Sequence, residues 1–289
     1  MLRQLRTNNT LSISHSIVSG RRALAAIAIS LALGLSACAM RQVAHPALVQ
    51  THDLTVSLAD RDNAVHSMQT AAVMEYKGGG QHFKVRENIV LQRQASMRVE
   101  VMSPGGVALV VAAGGGQIAV YDPGKDTLMR GAASAAMLER YARIPMAPDA
   151  ATRLLLALSP DTAMLASPPS STAVYGDSQV LTYDQPDGAA YELRFNGAGS
   201  LEMVRETLAG GRAGYEVHYS DYRDAGGGIL FPGQVEASFP RTGATVKFRF
   251  ENPSVNQYVP DSTFVLLPGS ATRKLTLGMG SVAAGAKRG

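Results

Sequence analysis

From Ser67 onward the chain alternates apolar and polar side chains with a period of two, and glycine-rich breaks interrupt the alternation at short intervals. Successive side chains of a β-strand point to opposite faces, so this pattern demands strands with one buried face and one wetter face. Met68, Thr70, Ala72, Met74 and Tyr76 form the first run, after which Gly78-Gly79-Gly80 turns the chain. Phe83 to Leu91 follow, then Met97, Val99 and Val101, then Val107, Leu109 and Val111, then Ile118 to Tyr121, and last Thr127 to Arg130. The breaks between the later runs are Ser103-Pro104-Gly105-Gly106, Gly114-Gly115-Gly116 and Asp122-Pro123-Gly124-Lys125. Consecutive strands joined by such turns describe an antiparallel meander.

The period changes to that of a helix in the middle of the chain. Ser134 is placed to cap a helix with Met137, Leu138 and Tyr141 on one face, and Asp149 a second with Leu154, Leu155 and Leu158 inward, stopped by Ser159-Pro160. Residues 161 to 172, rich in Ser, Pro and Ala, read as a connecting loop. Strands then resume at Gln179 to Tyr183, Ala190 to Phe195, Leu201 to Leu208, Tyr215 to Tyr222, Leu230 to Phe239 and Ala244 to Glu251. Strands, two helices and more strands around one core predict an α+β fold, a curved antiparallel half-barrel with a central two-helix lid or plug near 133–158. The domain is expected over residues 54–268. A short helix begins it, capped by Asp53 with Leu54 and Leu58 inward, and a basic disordered tail over 269–289 follows it.

The N-terminal end carries a different message. Arg3, Arg6, Arg21 and Arg22 precede an apolar run, Ala23 to Gly34, and no acidic residue occurs before Cys38. That run is short of the roughly 20 residues a permanent membrane helix needs, and it fits the core of a secretory signal. Leu35-Ser36-Ala37-Cys38 resembles the bacterial lipobox, which implies cleavage after residue 37, a diacylglycerol thioether on Cys38 and a lipidated tether over 38–53. Ala39, where an Asp would signal retention in the inner membrane, points to an outer-membrane destination facing the periplasm.

Removing residues 1–37 takes four of the 27 basic residues and none of the 23 acidic ones, leaving 23 of each sign. The basic balance of the whole chain therefore belongs to the export signal, and nucleic acid is not an expected partner. Cys38 is the only cysteine, so the fold has to rest on its apolar core. The glycine runs lack the Gly-Lys-Ser/Thr and Gly-x-Gly-x-x-Gly contexts of phosphate-binding loops and read as hairpin turns. His45, His52, His66, His82 and His218 have no metal-site spacing, although His66 and His82 lie on adjacent strands. Glu216, Asp221 and Asp224 read either as an acidic patch or as ordinary solvent-facing positions. No catalytic constellation, cofactor site or metal site is expected.

Three patterns in order are similar to the LolA/LolB-like superfamily of periplasmic lipid-handling proteins, and to its lipoprotein branch. The first is Arg98-Val99-Glu100-Val101-Met102-Ser103-Pro104-Gly105-Gly106 leading to Gly116-Gln117-Ile118-Ala119-Val120-Tyr121-Asp122-Pro123. The second runs from Gly131-Ala132-Ala133-Ser134 through Ile144-Pro145-Met146 to Leu154-Leu155-Leu156. The third is Leu230-Phe231-Pro232, Phe248-Arg249-Phe250-Glu251-Asn252, then Pro260-Asp261-Ser262-Thr263-Phe264 and Pro268. The resemblance implies an incomplete barrel covered by helices, with an apolar cavity for acyl chains. It also implies a membrane-facing turn at Pro104 and Gly105. There the LolB-type acceptors carry a protruding apolar side chain and this chain has none.

The candidate lining of such a cavity is Met74, Val99, Val101, Leu109, Val111, Ile118, Val120, Met137, Leu138, Tyr141, Leu154 and Leu155. By composition these are first of all core residues, and the sequence does not separate lining from packing. The expected function is non-enzymatic binding, transfer or acceptance of a hydrophobic ligand, a lipid or a lipoprotein acyl chain. The alternative is an assembly lipoprotein that binds other envelope proteins and fills the cavity with its own side chains.

Overall fold

The computed structural model describes residues 49–267 and 269–277. Cys38, the export signal, most of the tether, Pro268 and the end of the tail lie outside the described residues. Fourteen strands form one sheet. The first six are β1 (Ser67–Gly78), β2 (Gln81–Gln92), β3 (Ser96–Ser103), β4 (Gly106–Gly114), β5 (Gln117–Asp122) and β6 (Thr127–Ala132). The remainder are β7 (Ser171–Tyr175), β8 (Ser178–Asp184), β9 (Ala190–Phe195), β10 (Leu201–Leu208), β11 (Arg212–Asp224), β12 (Leu230–Phe239), β13 (Ala244–Val255) and β14 (Arg273–Thr276). Among the described residues three α-helices accompany them: α1 (Thr51–Ala64), α2 (Ala135–Ala142) and α3 (Pro148–Leu155).

The sheet is two meanders sewn together. β1 to β6 run consecutively, as do β7 to β13, and β1 pairs with β13 so that the spatial order is β14-β6-β5-β4-β3-β2-β1-β13-β12-β11-β10-β9-β8-β7. Every pairing is antiparallel except that of β14 with β6. The seam register aligns buried apolar residues, Met74 opposite Phe248 and Ala72 opposite Phe250. A one-residue slip would turn all of them to solvent. Bulges between Gln69 and Ala71, Val101 and Met102, Leu201 and Met203, and Arg205 and Thr207 increase local twist and help the sheet curl. The result is the expected α+β curved half-barrel.

One apolar cluster fills its concave side. Met68, Ile89, Met97, Val111, Ile118, Leu181, Leu193, Val217, Val235 and Phe248 reach it from the strands, and Leu138, Leu154, Leu156 and Leu158 from the helical segment. α1 closes one end with Leu54 and Leu58. On the convex side a smaller cluster seats Leu266 against Val110, Ala112 and Leu128, so the segment before residue 268 straps the outside of β4–β6.

Four details depart from the sequence expectations. α1 starts at Thr51 with Gln50 in the cap position, so Asp53 lies in its first turn and the helix reaches into the expected tether. α3 starts at Pro148 after Ala147, with Asp149 again inside the first turn, because proline's fixed φ suits the first helical position. β7 takes residues 171 and 172 from the expected loop; its short polar sequence hides an edge strand that needs only backbone partners from β8. Residues 273–276, expected in a disordered tail, form β14 because Gly131 leaves room for the chain to lie along β6. A Cβ there would come within 2.7 Å of both the Leu277 Cβ and its carbonyl oxygen.

That contact gives a direct check. Gly131→Ala is expected to displace β14 and abolish amide-exchange protection at Arg273 and Leu277, whose N–H groups donate to Asp126 and Arg130 carbonyls. The β1–β13 seam should keep its protection. Full protection at Arg273 and Leu277 in the variant would contradict this docking.

Candidate functional site

The chain leaves β6 near one edge of the sheet and must begin β7 at the other. The intervening segment, residues 133–170, therefore crosses the concave side, and α2 and α3 lie on that path. Ser134 caps α2 by accepting a hydrogen bond from the Met137 amide at 3.3 Å, and Arg143 ends the helix at φ 61°. α3 packs against β3 and presents Ala151, Leu154 and Leu155 to the sheet. It closes in a Schellman-type turn in which the Leu158 amide donates to the Arg153 carbonyl and Ala157 takes φ 52°. Leu156, Ala157 and Leu158 are fully buried.

Between this lid and the floor lies a small void of about 20 Å³ with no polar surface. Ile144, Met146, Ala151, Leu154 and Leu155 border it from above and strands β11–β13 from below, through residues such as Val217, Val235 and Phe248. A space of that size is close to the minimum for one water, and without polar partners it has no reason to hold one. It is far below the roughly 300 Å³ at which small-molecule pockets begin. The space directly beneath the lid is thus closed.

Of the predicted lining residues, only Leu154 and Leu155 border this void. Met74, Val111, Ile118, Val120, Met137 and Leu138 belong to the buried cluster on the same side, with Leu109 and Tyr141 packed at its margin. Val99 and Val101 share that face of β3, opposite Val111 and Leu109, but stand outside the cluster. Pro104 and Gly105 form the exposed tip of the β3–β4 hairpin, where the Ser103 hydroxyl donates to the Gly106 carbonyl at 3.0 Å. His66 and His82 sit at opposite ends of the β1–β2 pair; His66 contacts Arg93, and His82 bonds Glu75 at 2.8 Å. Glu216 pairs with Arg205 and His218, Asp221 with Arg223, and Asp224 caps the turn at Gly226, so the three acids serve separate local contacts. Among the described residues no group of three His, Cys, Asp or Glu side chains is arranged to hold a metal.

Two polar features of the concave side escaped the sequence reading. The first is a buried latch. Asp62 continues the Leu54–Leu58 stripe of α1 and points inward. The Arg153 guanidinium donates to Asp62 Oδ1 at 2.5 Å, to Ser159 Oγ at 2.6 Å and to the Ser159 carbonyl at 2.8 Å. The Ser159 hydroxyl in turn donates to Asp62 Oδ1 at 2.9 Å. Arg61 donates to the Ala157 and Leu230 carbonyls, each at 2.7 Å, and stacks over Phe231, while the Tyr219 hydroxyl donates to the Leu154 carbonyl at 3.0 Å. The end of α3 is thereby tied to α1 and the floor. The second is Glu87. It lies on β2 between Val85 and Ile89 on the inward face, opposite Ala72 and Val101, and is only 4% exposed. Burial alone pushes its carboxyl up to about 8. Glu87 shares the parity of Phe83, Val85, Ile89 and Leu91, a signal present in the sequence that its reading did not take up.

No protein-family model matches the sequence, and neither does any curated protein. Solved structures do match. A LolA superfamily protein from Nitrosomonas europaea superimposes with TM-score 0.54 at 12% identity, covering 75% of this chain and 98% of that one. A DUF1329 family protein from Desulfovibrio piger gives 0.52 at 14% identity, covering 74% and 95%. A putative outer membrane lipoprotein-sorting protein domain from Vibrio parahaemolyticus gives 0.52 at 9% identity, covering 74% and 97%. The fold is LolA/LolB-like.

Both polar features predict stability changes. Asp62→Ala strands the buried Arg153 and is expected to cost about 3–5 kcal/mol in urea unfolding, most of it recovered in the apolar pair Asp62→Leu with Arg153→Met. For Glu87 the unfolded carboxyl ionises near 4.5 and the folded one near 8, so stability falls as pH rises between those values and levels off above. Glu87→Gln should remove that fall. A parallel pH profile for both proteins would show that Glu87 ionises normally.

Proposed function

We propose that this chain is a lipid-anchored protein of the bacterial envelope that binds an acyl chain, from a lipid or a lipoprotein, between the curved sheet and the α2–α3 lid, without catalysing a reaction. The observation that carries this reading is the lid itself. Two eight-residue helices, too short to be stable alone, cover a mainly apolar floor and are fixed by polar contacts mainly at one end. An entering hydrocarbon chain would take over the floor contacts that the lid side chains now make. Its own removal from water, at about 25 cal/mol per Å² of apolar surface, would supply the driving force.

The anchor on Cys38 would hold the site near a membrane, and Ala39, where an Asp would signal inner-membrane retention, favours the outer one. Several acyl chains on one cysteine make stable anchoring, at about 0.8 kcal/mol per buried methylene. Among the described residues no helix is long and apolar enough to cross a membrane. The turn at Pro104 and Gly105 would face the bilayer without inserting a side chain, which suits carriage or acceptance of a ligand better than pushing it into the bilayer. The fold shared with a putative lipoprotein-sorting domain supports the same class of ligand.

A second reading rests on the small void. A floor already filled by Leu154, Leu155 and Met146 also suits a protein that keeps the fold and binds envelope proteins through its outer surface. The two readings separate in one experiment. The Cys38→Ser chain, which lacks a lipid of its own, is extracted with organic solvent for mass spectrometry and titrated with a fluorescent fatty acid. Lipid in stoichiometric amount, or saturable uptake that Arg153→Ala enhances several-fold by loosening the lid, is the expected result. A lipid-free protein that takes up nothing, in either form, would favour the scaffold.

A further inference from the structure

Glu87 serves no structural purpose that its surroundings explain. It forms no hydrogen bond or ion pair among the described residues, and burial is the only influence on its ionisation. A buried group without partners costs stability, so a fold that needed only packing would be better served by an apolar side chain there. Among the described residues no charged group of the lid pairs with Glu87. Arg153 holds Asp62 and Ser159, Arg140 stacks on Tyr141, Arg143 stacks on Tyr76, Asp149 is exposed and Glu139 is half-buried on α2. The lid carries a buried polar atom of its own without a partner. Thr152 Oγ1 on α3 is buried with no hydrogen-bond partner, and α3 packs against β3, the strand beside β2.

We propose that Glu87 is the polar contact of the lid-covered site and receives the carbonyl oxygen of an ester- or amide-linked acyl chain. This rests on the acyl-binding reading above and names the part of the ligand that reading leaves open. A carboxylate has no proton to donate, so the contact requires the neutral acid, the form that burial among Val85, Ile89, Ala72 and Val101 favours. A neutral donor in an apolar setting matches a neutral acceptor. A cationic headgroup would have to be stripped of water together with an ionised Glu87, and a free fatty carboxylate would set a second acid against the first. The selected ligand is therefore an acyl chain joined to its carrier, rather than a free acid or plain hydrocarbon.

The test uses the full chain with Cys38→Ser and displacement of the neutral fluorescent dye N-phenyl-1-naphthylamine by methyl decanoate and by dodecane, which match in length. At pH 7 the ester should displace the dye at about a tenfold lower concentration than the alkane, the worth of one hydrogen bond. Glu87→Gln, which keeps a neutral donor, should preserve that preference. Glu87→Leu should bring the ester level with the alkane while leaving alkane binding intact. At pH 9 the native protein should lose the preference and Glu87→Gln should keep it. An unchanged ester preference in Glu87→Leu, or an equal loss of both ligands, overturns the role of Glu87 while dye displacement itself still supports an apolar site. Absence of displacement by either ligand in all three proteins overturns the acyl-binding reading, and the Glu87 contact with it.

Discussion

Because β6 and β7 lie near opposite edges of one fourteen-stranded sheet, the chain between them has no path except across a face. The concave face is the apolar one, so the crossing segment has to be apolar on its underside, and α2 and α3 meet that demand with Leu138, Leu154 and Leu155. The lid follows from the way two meanders are joined at β1 and β13. It is the price of building a half-barrel from a single chain whose halves are adjacent in the middle of the sheet and free at its edges.

The same crossing decides where the lid is held firmly. Apolar contact with the floor is non-directional and accepts a hydrocarbon in place of a leucine side chain. The latch at Asp62, Arg153 and Ser159 is directional, buried and intolerant of a missing partner. With Arg61 and Tyr219 bound to carbonyls at the end of α3, it ties that end to α1 and the floor, while α2 is fastened by softer contacts such as Arg143 over Tyr76 and the Tyr141 hydroxyl on the Met129 sulfur. A closed void of about 20 Å³ and an openable lid are compatible in this arrangement. Arg143, at the end of α2, lies over Tyr76 of β1, the strand paired with β2, where Glu87 lies.

Much of this was legible in the sequence because it depends on local period. The alternation from Met68 to Tyr76 and the Ser134 cap each carry their signal within a few residues. β7 and β14 were missed because edge strands draw on a partner's backbone and need no apolar pattern. The floor of the void at Val217, Val235 and Phe248 was read as strand but not as lining. Which part of the floor meets Leu154 is fixed by the β1–β13 seam, a pairing between residues about 180 positions apart. Asp62 and Glu87 carried an inward spacing that the sequence reading did not take up. What they face was not legible there, since Asp62 meets Arg153 and Ser159 only in the folded chain.

The central claim is that the lid moves to admit a ligand. Spin labels on Asp149→Cys in α3 and Glu236→Cys in β12, in a Cys38→Ser background, report the distance between lid and floor by double electron–electron resonance. The account predicts a longer and broader distance distribution when methyl decanoate is bound, returning to the closed one when the ligand is removed. A distribution that stays unchanged while ligand binding saturates would contradict it.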